Sequence, residues 1–318
     1  GRMDAIFAID KPVGPTSHDV VARIRRAARL RRVGHAGTLD PLASGVLVVA
    51  LGNATRLVEY LTADDKAYRA VIAFGSETAT DDAEGEVTRT GPVDHLDATV
   101  ITAALDAFRG TITQVPPSYS AISVGGERLH TLARRGVAVE APPRQVTIDA
   151  IDLIAWDAPR ATIDIACGKG TYVRSIARDL GVAVGSAAHL AGLRRTQSGT
   201  FRIEDAPALE VVEDALRDGT WPALAVDPAT ALPRLPAVHL AEGQLRDVAA
   251  GRPIEATITT AAVTRPSADG REDAGGAPRP TYARAIAPDG RLVAILRRAA
   301  PNLWHPEKVL AAATSTEG

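Results

Sequence analysis

Short apolar runs separated by polar, glycine- and proline-bearing punctuation make up most of this chain, and their period changes along it. Residues 4–9 (DAIFAI) and 66–74 (KAYRAVIAF) predict strands, and the unbroken apolar run 45–51 (GVLVVAL) predicts a strand buried on both faces. Between the first two, Val20, Val21, Ile24 and Leu30 share one side of a helix expected over 18–31 and capped by Ser17. A short helix is expected over 54–61, and the polar, acidic stretch 76–92 predicts a loop. Asp97 caps a helix running to about Phe108. A turn at Pro116-Pro117, a strand over 119–124 and a helix over 127–135 follow. Strands over 144–156 and 161–167, a helix over 172–180, and a turn with a strand pair in 186–203 complete the pattern. Strands and helices do not alternate as βαβ repeats. The expected fold class is therefore α+β, with a mixed, largely antiparallel sheet flanked by helices.

The pattern also divides the chain. Residues 3–203 form the main unit and 204–234 a helical connector marked by Pro222, Pro228 and Pro233. A small β-rich unit is expected over 235–300, with a helix at 242–250 and strands near 281–287 and 291–298. Within it, 256–280 is rich in Ser, Asp, Gly, Pro and Arg and predicts a flexible surface loop, and 301–318 predicts a tail. There is no internal repeat.

Composition narrows the function. Net charge is −2, which argues against a globally basic nucleic-acid binder, but local charge matters more where phosphate is touched. Residues 21–32 (VARIRRAARLRR) carry six arginines, and no acid lies between Asp19 and Asp40. Arg25, Arg29 and Arg32 on this stretch are candidate phosphate contacts. The single cysteine, Cys167, excludes an intrachain disulfide and a CxxC metal site, and the seven histidines show no metal-ligand spacing. No apolar run is long enough to cross a bilayer and no signal peptide is visible, so a cytoplasmic protein is expected. Gly1-Arg2 before Met3 read as a tag remnant. Abundant Ala, Arg and Val in place of Lys and Ile hint at a GC-rich, actinobacterial-type genome.

The candidate chemistry centres on Gly34-His35-Ala36-Gly37-Thr38-Leu39-Asp40-Pro41, a lone carboxylate in a glycine-rich turn beyond the arginines. Asp before Pro is commonly a helix-start pair, and the residues alone leave that reading open. The other reading is a carboxylate that acts as nucleophile or base on a sugar. Arg174 could hold such a carboxylate ionised, or be a surface arginine. Tyr68 and Tyr172 could stack on a base, or be half-buried structural tyrosines. Gly168-Lys169-Gly170-Thr171 fails the spacing of a phosphate-binding P-loop. Ser44-Gly45 does not complete a hydrolase nucleophile elbow, because position 42 is Leu.

Longer blocks are more specific. Asp10-Lys11-Pro12-x-Gly14-Pro15-Thr16-Ser17 and the Asp40 block continue through Gly52-x-Ala54-Thr55-Arg56 and Lys66-x-Tyr68. Gln114-x-Pro116-Pro117-x-Tyr119, Gly168-x-Gly170-Thr171-Tyr172-x-Arg174-Ser175 and Leu190-x-x-Leu193-Arg194-Arg195 follow. In this order, over about residues 5–200, they resemble the TruB-type tRNA pseudouridine synthases. The resemblance implies isomerisation of uridine 55 in the T loop of tRNA to pseudouridine, by base flipping and an aspartate-dependent rearrangement. It implies catalytic roles for Asp40, Tyr68 and Arg174. It places His35 in the RNA loop, Tyr172 and Leu193 at the pocket, and Arg56 on the RNA, where relatives often carry Lys. It further implies a pseudouridine-synthase core with a PUA-like RNA-binding domain at 235–300, no cofactor or metal, a monomer, and the tRNA T stem-loop as partner. Assistance to tRNA folding is a secondary expectation. A tRNA-binding module with dispensable catalysis is the competing class.

Overall fold

The computed structural model describes residues 3–119, 123–124, 127–128, 141–258 and 282–310. The expected helix over 127–135 lies largely outside them, as does most of the expected loop at 256–280. The strands, in chain order, begin with β1 (Ala5–Lys11), β2 (Val33–Ala36), β3 (Ala43–Leu51), β4 (Lys66–Phe74), β5 (Ser76–Thr78) and β6 (Val87–Thr90). Next come β7 (Gly110–Gln114), β8 (Ser123–Val124), β9 (Glu127–Arg128), β10 (Arg144–Asp157), β11 (Arg160–Cys167), β12 (Ala188–Ser198) and β13 (Phe201–Arg202). β14 (Ala237–His239), β15 (Ile254–Glu255), β16 (Tyr282–Ile286), β17 (Leu292–Ala300) and β18 (Leu303–Val309) build the second unit. The helices are α1 (Ser17–Ala28), α2 (Val58–Thr62), α3 (Ala98–Leu105), α4 (Val173–Ala183), α5 (Leu209–Asp218) and α6 (Glu242–Ala249). The class is α+β.

The main sheet runs β1-β3-β12-β4-β11-β10-β7, antiparallel throughout except for the parallel pair β3–β12. The continuous apolar run of β3 has a direct cause. Leu47, Val49 and Leu51 pack with Phe7 and Ile9 of β1 against Val20, Val21 and Ile24 of α1 and Leu209, Val212 and Leu216 of α5. Its other face, Val46, Val48 and Ala50, packs on Leu232, Leu235, Ile286, Ile295 and Leu310. Each of these large side chains contributes about 1.5–3 kcal/mol by burial. The 204–234 stretch is therefore part of the core, and α5 is locked to α1 by Arg23 and the buried Glu213.

Several expectations need correction. The cap of α1 is Thr16, not Ser17. Its side chain accepts from the Asp19 N–H at 2.9 Å and the Asp19 carboxylate accepts from the Thr16 N–H at 2.9 Å. The helix stops at Ala28, because Arg29 turns left-handed at φ 54°. The glycine turn contains a four-residue strand, β2. The 76–92 loop contains the β5–β6 hairpin, and β7 was not anticipated. Of the strand expected over 119–124, the described residues include β8, paired with β9. Residues 303–309, expected as tail, form β18, with Trp304 fully buried. The second sheet runs β14-β16-β17-β18-β15. It is tied to the first unit by the Asn53 side-chain amide donating to Leu310 O at 2.7 Å and by Tyr60 donating to Glu307 at 3.0 Å. Among the described residues no helix is long and apolar enough to cross a membrane.

Candidate active site

β3 shares one of its edges between two strands. β2 pairs with Val48–Leu51, and β12 pairs with Ala43–Gly45. The sheet therefore forks beside Val46 and Leu47, and the chain leaving β2 through Gly37 carries Asp40 out of that fork. The loop is fastened on both sides of the aspartate. Ser17 Oγ accepts from the Leu39 N–H and donates to Leu39 O, each at 2.8 Å. Asp40 O accepts from the Ala43 N–H at 2.9 Å, and Pro41 O from the Gly14 N–H at 2.8 Å. No helix follows, so the Asp40 side chain caps nothing. It is 49% exposed and faces Arg174 Nη2 at 3.5 Å.

Arg174 lies in the first turn of α4 and is only 12% exposed. Its Nη1 donates to Tyr119 O at 2.9 Å and to Thr80 O at 3.4 Å, which aims the other arm of the fork at Asp40. The start of α4 is fixed by Gln114, whose side-chain amide accepts from the Tyr172 N–H at 2.8 Å and donates to Tyr172 O at 3.1 Å. Arg178 bonds to Val115 O at 2.7 Å and pairs with Asp81 at 2.9 Å. Burial pushes the Asp81 carboxyl up to about 6, against the pull of Arg178.

Tyr68 is half-buried on β4, directly opposite Arg195 of β12. Burial raises its phenol, the Arg195 guanidinium opposes this, and the Asp40 charge acts with burial. His35, on β2, is lowered by burial and then by Arg195, so it is a neutral ring at ordinary pH. Its buried Nδ1 has no hydrogen-bond partner among the described residues. Leu193 sits between Ala43 of β3 and Ala70 of β4, half-buried at the seam of two cores.

The arginines part company. Arg25 donates to Arg31 O at 3.0 Å and to Val33 O at 3.1 Å, bracing the turn after α1. Arg32 donates to Asn53 Oδ1 at 3.0 Å. Arg29 is exposed at the helix end, and Arg56 is exposed on the 3₁₀ turn Gly52–Leu57. Three buried cations escaped the sequence reading, Lys11, Arg195 and Lys66. Lys66 Nζ donates to Thr62 O at 3.0 Å and to Asp64 O. Arg195 stood in a recognised block, but only the cross-strand register places it beside Tyr68. Among the described residues no group of three or more His, Cys, Asp or Glu is placed to share a metal ion.

Burial lowers the Lys66 ammonium to about 8, with Arg195 acting in the same direction and Asp64 opposing. Below that pH, folded and unfolded chains both hold the proton and the burial penalty stands in full. Above the ordinary lysine value neither holds it. The unfolded chain binds more protons between the two, so stability from this group rises with pH across that window by about 3 kcal/mol. Denaturant unfolding of wild type and Lys66→Met from about pH 8 to about pH 10.5 checks this. The wild type should gain on the variant as pH rises, and a constant gap would contradict it.

The family description "TruB family pseudouridylate synthase (N terminal domain)" matches residues 25–173, and "tRNA pseudouridylate synthase B C-terminal domain" matches 174–231. A tRNA pseudouridine synthase B of Gloeobacter violaceus is 51% identical over 242 residues, 75% of this chain and 82% of that protein. One of Solibacter usitatus is 39% identical over 308 residues, 97% of this chain and 100% of that protein. Among solved structures, a Cbf5-Nop10-Gar1 complex contains a chain of similar fold, with TM-score 0.72 and 25% identity, covering 97% of this chain and 85% of that one. Fold, matched regions and a half-exposed aspartate beside an arginine define the class, a pseudouridylate synthase. Within that class the chain belongs to the TruB family.

Proposed function

We propose that this protein isomerises uridine 55 in the T loop of tRNA to pseudouridine, with Asp40 as the catalytic carboxylate. The observation that carries the reading is the Asp40 side chain itself. It is half exposed, free of capping duties, and held within ion-pair distance of a nearly buried arginine. The reaction breaks the N1–C1′ bond and makes a C5–C1′ bond. The proton lost from C5 is matched by one gained at N1, so substrate and product have the same atoms and no oxidant or energy source enters. A carboxylate serves this chemistry as a nucleophile at C1′ or as a base at C2′. Arg174 faces it at 3.5 Å and keeps it aimed.

Uridine in a folded loop must be everted to expose C1′ and C5, which costs a few kcal/mol, roughly, and calls for replacement stacking. His35, a flat ring on β2 next to the Asp40 loop, suits the vacated place in the stack. Tyr68 suits the face of the everted base, and Tyr172 and Leu193 the pocket wall. Incubating the purified protein with a T-stem-loop transcript and mapping pseudouridine by mass spectrometry tests the reading. Unmodified transcript would refute it.

Phosphate contacts follow the exposed arginines. Arg29→Gln and Arg56→Gln should each lower the salt slope of RNA binding by about one unit. Arg25→Gln should instead lower Tm with little change of slope, because its donors already serve Arg31 O and Val33 O. Filter binding at several salt concentrations distinguishes these results, and equal slopes in all three variants would contradict the assignment.

A further inference from the structure

We propose that Arg195 is a positioning residue for the Asp40 carboxylate, a strut that closes the fork between β2 and β12 and fixes the loop leaving it. The inference rests on the reaction proposed above. At the fork, β3 has neighbours at Val48–Leu51 and at Ala43–Gly45 but no strand partner on that edge at Val46. Arg195 supplies it. Nε donates to Val46 O at 2.7 Å and Nη2 donates to Gly37 O at 2.8 Å. One planar group thus ties the centre of β3 to the first residue of the Asp40 loop. Gly37 has φ +78°, and a Cβ there would lie 3.4 Å from Arg195 Nη1, so the guanidinium lies against this backbone. The strand itself is re-aimed at this point by an irregularity between Arg195 and Gln197, a device common beside active sites.

The energetics favour a role beyond packing. Arg195 is 1% exposed, and among the described residues no carboxylate pairs with it. A second buried cation, Lys66, has its Cε 3.4 Å from the same Cβ position at Gly37. Burying two like charges side by side is unfavourable, and an apolar residue would fill the space at less expense. What only a guanidinium provides is a rigid fork reaching two carbonyls at a fixed spacing. It also stands opposite Tyr68, so the same side chain sets the distance between the Asp40 loop and the strand carrying the phenol. Arg195 touches the Val46 carbonyl of β3 and the Gly37 carbonyl of the loop, and acts through Asp40.

The test is Arg195→Lys, which keeps the charge and gives up the two-carbonyl reach. Single-turnover conversion of saturating T-arm RNA should fall about 100-fold, the scale of a misplaced reacting group, while Kd for the RNA stays within about threefold. Hydrogen exchange should accelerate over residues 36–41 and remain unchanged in β1. A folded variant converting RNA within about threefold of wild type, or a loss carried by Kd, would overturn the proposal. Should Arg195→Lys not fold, Arg195→Gln removes a charge that Lys66 repels and takes the same measurements. Failure of both to fold would assign Arg195 to stability alone and also overturn it. Inactive wild type would instead strike the parent reading, which keeps the two failures apart.

Discussion

Asp40→Asn should reduce pseudouridine formation in a T-arm transcript at least about 1,000-fold, about 4 kcal/mol of transition-state stabilisation. The substitution is nearly isosteric, and its surroundings predict an undisturbed loop. Ser17 holds Leu39 through both backbone groups, and Ala43 and Gly14 hold the residues on either side of the peptide. No backbone amide depends on the Asp40 side chain, so the amide should not unfold the turn. What disappears is the negative charge facing Arg174 and, with it, both the nucleophile and the base. RNA affinity should stay within about threefold, because eversion and phosphate contact draw on other residues. Turnover by this variant above about one per cent of wild type, measured by the same mapping, would dissociate Asp40 from the chemistry.

Gly45→Ala should lower Tm by roughly 5 °C, from about 3 kcal/mol or more of lost stability. Gly45 has φ +106°, a conformation that L side chains rarely adopt. A Cβ there would also meet Arg195 O at 2.1 Å and Arg195 N at 2.7 Å. Those atoms are backbone of β12, so relief requires parting the parallel pair β3–β12, which carries Leu193, Arg194 and Arg195. The damage should reach activity as well as stability. Calorimetry of the purified variant decides it: a shift under about 2 °C would mean that the two strands approach less closely than described.

The strands that pack on both faces or alternate cleanly were legible from pattern. Lys66–Phe74 matches residue for residue, and Asp97 caps α3 through the Val100 N–H as expected. The misses have local causes. β2 is four residues long with Gly34 inside it, and its apolar content is that of a turn. β6 is exposed at every position, so no burial pattern marks it. Leu30 extended the apolar period of α1 beyond Ala28, while the left-handed Arg29 ends the helix by a backbone choice that the period does not encode. Asp40 and Arg174 stand out among the residues themselves, where each keeps an ordinary structural reading, and their catalytic roles come only from the resemblance. Their 134-residue separation hides the contact from any spacing argument, and the register that sets Arg195 opposite Tyr68 exists only in the folded sheet.

β3 and β4 meet only through β12, the last long strand of the main sheet to be made. A nascent chain that ends before Ala188 therefore emerges from the ribosome as two half-sheets with raw edges. Such edges recruit foreign strands and call for shielding by chaperones. Because the late strand also brings Leu193 and Arg195, no translation product that stops short of β12 can offer RNA a complete catalytic centre.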